Sequence, residues 1–232
     1  MKLTYALCLA LVTAPFISTP IWATPKPKVV PEETTVAASS LNAQPSVAWI
    51  DVKAKGFDSV RLVQGVDLKR FKTFQVEQPT LEFDKQWLWD FKSQMTERDE
   101  ERIRKSYTDA LRKALEDALS KDLGLEQTHS PDSDTLIVSA NLSRFRLLAP
   151  DLSMRPISKD FVQYTGAARL ELSLNDSGNQ PLVQLSDYSE TSQFSGPGDL
   201  KRTNRVENLR DFKALSKRWA GRLTDYLSTL RS

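Results

Sequence analysis

Between residues 97 and 123 apolar side chains return at steps of one, three and four: Ile103, Tyr107, Ala110, Leu111, Ala114, Leu115, Ala118 and Leu119. This is one stripe at the helical period, and a helix so patterned has to lay that stripe against another element. Thr96 stands before an acidic first turn of Glu97, Asp99 and Glu100, which suits the positive end of a helix, and Gly124 supplies a stop. A second stripe of Leu209, Phe212, Leu215, Trp219, Leu223, Tyr226, Leu227 and Leu230 predicts a final helix over residues 207–230, capped by Asn204 or Asn208.

The partner for both stripes has to come from strands. Residues 71–76 and 80–83 read as one strand interrupted at Pro79. Residues 86–95, with Trp87, Trp89 and Phe91, read as a covering loop. Residues 135–148 form a strand with Leu136, Val138, Ala140 and Leu142 on one face. Its apolar phase then switches to Phe145 and Leu147, so a bulge is expected near Ser143. Residues 167–175 alternate cleanly, Ala168, Leu170, Leu172 and Leu174 against Arg169, Glu171, Ser173 and Asn175. A turn at 176–179 and a returning strand over 182–194 make a hairpin, ended by Ser195-Gly196-Pro197-Gly198. The expected fold is α+β in two layers: one mainly antiparallel sheet of about four strands with two helices packed on one face.

The first segment has a different logic. Residues 1–23 carry Lys2, a short apolar run, breaks at Pro15 and Pro20 and a small-residue site ending at Ala23, the pattern of a signal peptide. The run is shorter than the ~20 residues that span a bilayer. Export to the periplasm follows. Residues 24–46, dominated by Pro, Thr, Ala and Ser, hold too few apolar side chains to offset the entropy of ordering and read as a disordered leader. Residues 47–232 then form a single domain. The one cysteine, Cys8, lies inside the signal after bulky Leu7, so the mature chain has no thiol, no disulfide and no lipid-acceptor cysteine.

Three stretches resemble a known family. They are Gly65-Val66-Asp67-Leu68-Lys69-Arg70-Phe71 with Val76, Pro79, Phe83 and Trp87; Gly166-Ala167-Ala168 leading to Asp176-Ser177-Gly178 and Asp187; and Asn208 through Phe212, Trp219 and Ala220 to Leu223. In order and spacing they are similar to the domain of unknown function 3313 family of proteobacterial envelope proteins, across roughly residues 48–227. The resemblance implies an envelope protein with no assigned activity and supplies no catalytic residues. Many members look like lipoproteins, a feature this chain departs from for want of an acceptor cysteine.

No constellation names a reaction. The only histidine, His129, sits in a polar turn beside Ser130, Asp132 and Asp134, without a GxSxG elbow. Asp122, Glu126, Asp132 and Asp134 lack calcium-loop spacing. No catalytic, cofactor or metal residue is therefore assigned. The polar feature that stands out is a basic cluster: residues 201–222 carry eight Lys and Arg against Glu207 and Asp211, although the whole chain has a net charge of only +2. That near-neutral total excludes a strongly basic nucleic-acid binder. Arg210, Lys213 and Lys217 fall on one helix face, with Arg218 and Arg222 as an adjacent row, and this set is the candidate interaction surface. The expected partner is an envelope protein or an anionic envelope polymer, with association at the membrane left open. The leading functional expectation is a non-catalytic interaction or assembly module. Two alternatives stand beside it. One is a carboxylate-dependent cell-wall glycan hydrolase, which needs two acids in one cleft. The other is a small-ligand binding protein using Trp87 and Trp89.

Overall fold

The computed structural model describes residues 48–148, 150, 152–154, 160–191 and 201–231. The expected signal peptide, leader and 195–198 turn lie outside these residues. The described residues belong to the compact unit Pro45–Ser232. In chain order the elements are β1 (Trp49–Val52), β2 (Ser59–Val63), β3 (Thr73–Val76), β4 (Thr80–Phe83), α1 (Lys85–Phe91), α2 (Glu97–Leu123), β5 (Glu126–Gln127), β6 (Thr135–Leu147), β7 (Asp160–Val162), β8 (Gly166–Asn175), β9 (Pro181–Glu190), β10 (Lys201–Thr203) and α3 (Arg205–Arg231). None of these helices is long and apolar enough to cross a membrane.

The fold is α+β, but the expected sheet of about four mainly antiparallel strands is wrong. Among the described residues the sheet has eight strands and is mixed, and three helices accompany it. Its order is β1-β2-β9-β8-β6-β3-β5, with β4 also paired to β6; β7 and β10 form a separate ladder. From β1 to β6 all pairings are antiparallel. Beyond β6 they are parallel, because α2 carries the chain back across the sheet before β6 begins. The interrupted strand around Pro79 is real: β3 and β4 lie end to end along the same edge of β6. The extra strands β1, β2 and β5 are two to five residues long. So short a strand exists only through its partner, and β2 pairs with β9 more than a hundred residues away. Nor are residues 86–91 a loop: they belong to α1, and only 92–95 lie outside it. Asp84 caps α1, its carboxylate accepting from the Trp87 N–H at 3.0 Å.

The central strand shows the expected bulge. Register shifts between Ser143 and Arg146, and Arg144 takes a positive φ of 51°. The bulge returns Phe145 to the core face. Opposite it the backbones approach so closely that a Cβ on Gly166 would lie 2.6 Å from the Arg146 carbonyl oxygen.

Both long helices cover the same face of the sheet. Tyr107 meets Phe212, and further along Thr224 Oγ1 donates to Asp122, so α2 and α3 run side by side in the same direction. Aromatic rings link the layers without a break. Phe91, Trp87, Phe83, Phe145, Tyr107, Phe212 and Trp219 follow one another with centroid separations of 4.8–6.2 Å. Such contacts add about 0.5–1.5 kcal/mol each beyond the area they bury. Burial pushes the Tyr107 phenol well above its ordinary value, so it stays neutral in this stack.

Buried carboxylates pin the helices. Asp187 of β9 accepts from the Trp219 indole N–H at 2.6 Å and from the Ser189 hydroxyl at 2.6 Å. Arg222 lies 3.5 Å from the same oxygen and donates to the Gly56 carbonyl at 2.9 Å. Gly56, at φ +90°, leaves room for the Arg222 stem, which a Cβ there would meet at 2.6 Å. Asp211 of α3 accepts from Thr165 at 3.1 Å, and Thr165 is hydrogen-bonded in turn to Thr191. Asp99 completes the capping box with Thr96 and accepts from Arg102 and from the Ser153 hydroxyl and backbone N–H. Burial would raise the Asp99 carboxyl. The bonds from the Ser153 hydroxyl, Arg102, Thr96 and the Ser153 backbone overcome that and hold it well below the usual carboxylate range.

Two outcomes follow. Asp99→Asn should cost about 2 kcal/mol at neutral pH. Because the folded carboxyl is depressed, its contribution is complete above the unfolded value near pH 4 and is lost as pH falls toward the folded value, so the gap between the two proteins should narrow by about 1 kcal/mol at pH 3. Urea unfolding at both pH values checks this, and a constant gap contradicts it. Arg222→Ala should lower stability by about 1 kcal/mol through lost stem packing and the lost bond to Gly56, whereas Lys217→Ala should stay within about 0.5 kcal/mol, as thermal unfolding will read.

Candidate functional site

Because α2 and α3 run in the same direction, their N-terminal ends, each with the positive pole of the helix macrodipole, lie at the same end of the layer. Asn204 caps α3, its side-chain oxygen accepting from the backbone N–H groups of Val206 at 2.9 Å and Glu207 at 3.1 Å. Between the helices at this end lies a groove of about 610 Å³. Arg102 and Ser106 line it from α2, Arg205, Val206, Leu209, Arg210 and Lys213 from α3, and Ile103, Tyr107 and Leu147 from below. Val206 is 68 % exposed at its margin, an uncommon place for a branched apolar side chain. The site therefore combines an apolar bed with a rim of four cations. Arg102 pairs with Asp99 at 3.0 Å and Arg210 with Glu207 at 2.6 Å.

The structure divides the five residues expected from sequence. Arg210 and Lys213 stand on the groove rim. Lys217 is exposed one turn further along the same face, and Arg218 is exposed beside it. Arg222 is only partly exposed, its guanidinium donating to the Gly56 carbonyl and lying 3.5 Å from Asp187. Asp211, counted above among the acids of the basic span, is also buried, with its carboxylate toward Thr165. Sequence reasoning misses Arg102 and Val206, counts Arg205 only within the basic span and gives Leu209 to the apolar stripe. Arg102 lies on the other helix, about a hundred positions away, and only the α2–α3 pairing reveals it. Val206 interrupts a polar helix start and was the one visible signal.

The other candidate features separate. Trp87 is core, its indole N–H donating to the Leu147 carbonyl at 2.6 Å, while Trp89 is 72 % exposed. Two residues apart on α1, they cannot face one ligand together. Trp49 lies on β1, with the Arg61 guanidinium 5.2 Å from its ring. His129 is exposed. Asp132 closes its own turn, accepting from the Thr135 hydroxyl at 2.8 Å, and Asp122 takes the Thr224 hydroxyl. Among the described residues no three His, Cys, Asp or Glu side chains gather as a metal site would require.

The face of the sheet away from the helices is polar. It holds a shallow depression of about 430 Å³ that brings Glu77 and Glu171 to one surface. Ser139 donates to Glu77 at 2.5 Å, and Asn141 and Ser143 donate to Glu171, each at 3.0 Å. Both acids are exposed and ringed by hydroxyl and amide groups.

No protein-family model matches the chain. No curated protein matches it either. The resemblance to the domain of unknown function 3313 family thus rests on the motifs alone. Among solved structures, a variant PelC dodecamer from Paraburkholderia phytofirmans aligns with a TM-score of 0.37 at 11 % identity, over 71 % of this chain and 95 % of that one. A second crystal form of that dodecamer gives 0.34 at 10 % identity, over 70 % and 96 %. A PDZ domain protein from Parabacteroides distasonis gives 0.36 at 10 % identity, over 72 % of this chain and 34 % of that one. At these scores the likenesses decide neither fold nor function.

Proposed function

We propose that the chain is a non-catalytic module of the bacterial envelope, exported by residues 1–23, that engages an anionic partner through the groove between α2 and α3. The observation that supports this reading is the pairing of a cationic rim, Arg102, Arg205, Arg210 and Lys213, with an apolar bed. Phosphate and carboxylate groups abound in an envelope, and a rim of this kind attracts them while the bed contributes binding that salt does not screen. The polarity of the chain adds to it: the cations concentrate in residues 201–222 while the total charge stays at +2. Steering toward anions is then local and does not make the whole protein adhesive.

The test is titration of the full chain with vesicles containing phosphatidylglycerol and, separately, with soluble poly-glutamate. Binding to at least one is expected, weakening as salt rises. The combination Arg210→Glu, Lys213→Glu and Lys217→Glu should weaken it at least tenfold while leaving the unfolding midpoint within a few degrees. Affinity unchanged by the reversal, or no binding to either probe, would overturn the reading. Export has its own check: N-terminal sequencing of the chain recovered outside the cytoplasm should begin at Thr24, and recovery only of the uncut form would contradict it.

A further inference from the structure

We infer that β1 is a docking edge for a second copy of this chain, the two β1 strands pairing antiparallel about a twofold axis at Val52. β1 is the terminal strand of the sheet and pairs with β2 on one side only among the described residues. The hydrogen bond from the Gln64 N–H to the Ala48 carbonyl, at 2.9 Å, fixes which backbone groups are used. Ala48, Ile50 and Val52 turn theirs toward β2, so Trp49, Asp51 and, continuing the alternation, Lys53 turn theirs outward. An open edge of this kind is a template for another strand; natural sheets blunt it with short strands, charged side chains, proline, a bulge or an inward charge. On the four-residue β1 and just past it, the charges at the edge, Asp51 and Lys53, are of opposite sign and so complement a second copy. Residues 48–53 contain no proline, and the β1–β2 register runs without a shift.

The side chains select both occupant and register. An axis at Val52 sets Asp51 opposite the partner copy's lysine at the position of Lys53, twice by symmetry, and sets Val52 against its own equivalent. An axis at Asp51 would place two carboxylates face to face. On the helix side, the Val52 axis sets Ile50 against the position of Ala54. Ile50 is 44 % exposed, although its ladder neighbour Leu62 packs on the core. Ala54 lines a groove of about 620 Å³ together with Val52, Leu62, Tyr226 and Leu230. The Tyr226 hydroxyl is buried there without a hydrogen-bond partner among the described residues. Each copy thus offers an uncovered isoleucine, and the other offers a recess, apolar at Val52, Ala54 and Leu62 and charged at Lys55, Arg222 and Asp225, to receive it. This edge is separate from the cationic groove, so the inference stands or falls independently of the anionic partner.

Sedimentation velocity on the full chain across a wide concentration range tests it. Self-association to a dimer is expected. Asp51→Lys alone should weaken it at least tenfold, and so should Lys53→Asp alone, whereas the two together restore the charge pairing and the dimer. Asp51→Pro removes an outward N–H while leaving the bonds to β2 in place, so it should give a folded monomer with a near wild-type unfolding midpoint. A chain that stays monomeric throughout the range, or a dimer indifferent to the single reversals and to the proline, would overturn the proposal.

Discussion

The hydrogen bond from the Trp219 indole to Asp187, at 2.6 Å, carries the architecture. It joins the last helix to β9, a strand well inside the sheet, and it is made within a dry layer where an unpaired carboxylate would be costly. Trp219 is also the last ring of the aromatic series that begins in α1. One side chain therefore ends both the apolar and the polar connections between layers. The position of α3 relative to α2 depends on it, and so does the groove between their N-terminal ends.

The buried polar groups share one design. Asp99, Asp187 and Asp211 each fix a helix to something distant in sequence, and each is satisfied by hydroxyl, indole or backbone donors. Asp99 and Asp187 also have an arginine at hand. Apolar stripes alone allow a helix to slide or rotate on its bed; a carboxylate that must find its donors allows one seating. The same seating leaves Arg210, Lys213 and Lys217 outward and holds the partly exposed Arg222 against Gly56 and Asp187, so the character of the surface is a consequence of how the core is locked.

What was legible in the sequence followed from local period. The α2 stripe, with Thr96 and Gly124 at its ends, gives that helix to the residue, and the alternation in β8 and the phase switch near Ser143 are equally local signals. Strands β1, β2 and β5 were not legible, because a strand of two to five residues has no period to read and exists through distant pairing. The parallel half of the sheet was missed for a related reason: a helix between strands was read as a cover, while it is also the crossover that reverses direction. At the site, helical spacing places Arg210 and Lys213 together. The contact that Arg222 makes with Gly56 is not legible in that spacing, because Gly56, whose missing side chain makes room for it, is far away in the chain.

The most direct test of this account is a double-mutant cycle between Asp187→Asn and Trp219→Phe, followed by urea unfolding at neutral pH. If the indole–carboxylate contact locks α3 to the sheet, the two losses should fall short of additivity by about 1–3 kcal/mol, the range for a hydrogen bond to a charged group. Strictly additive losses would show that the two side chains stabilise the fold independently, and the central contention would fail.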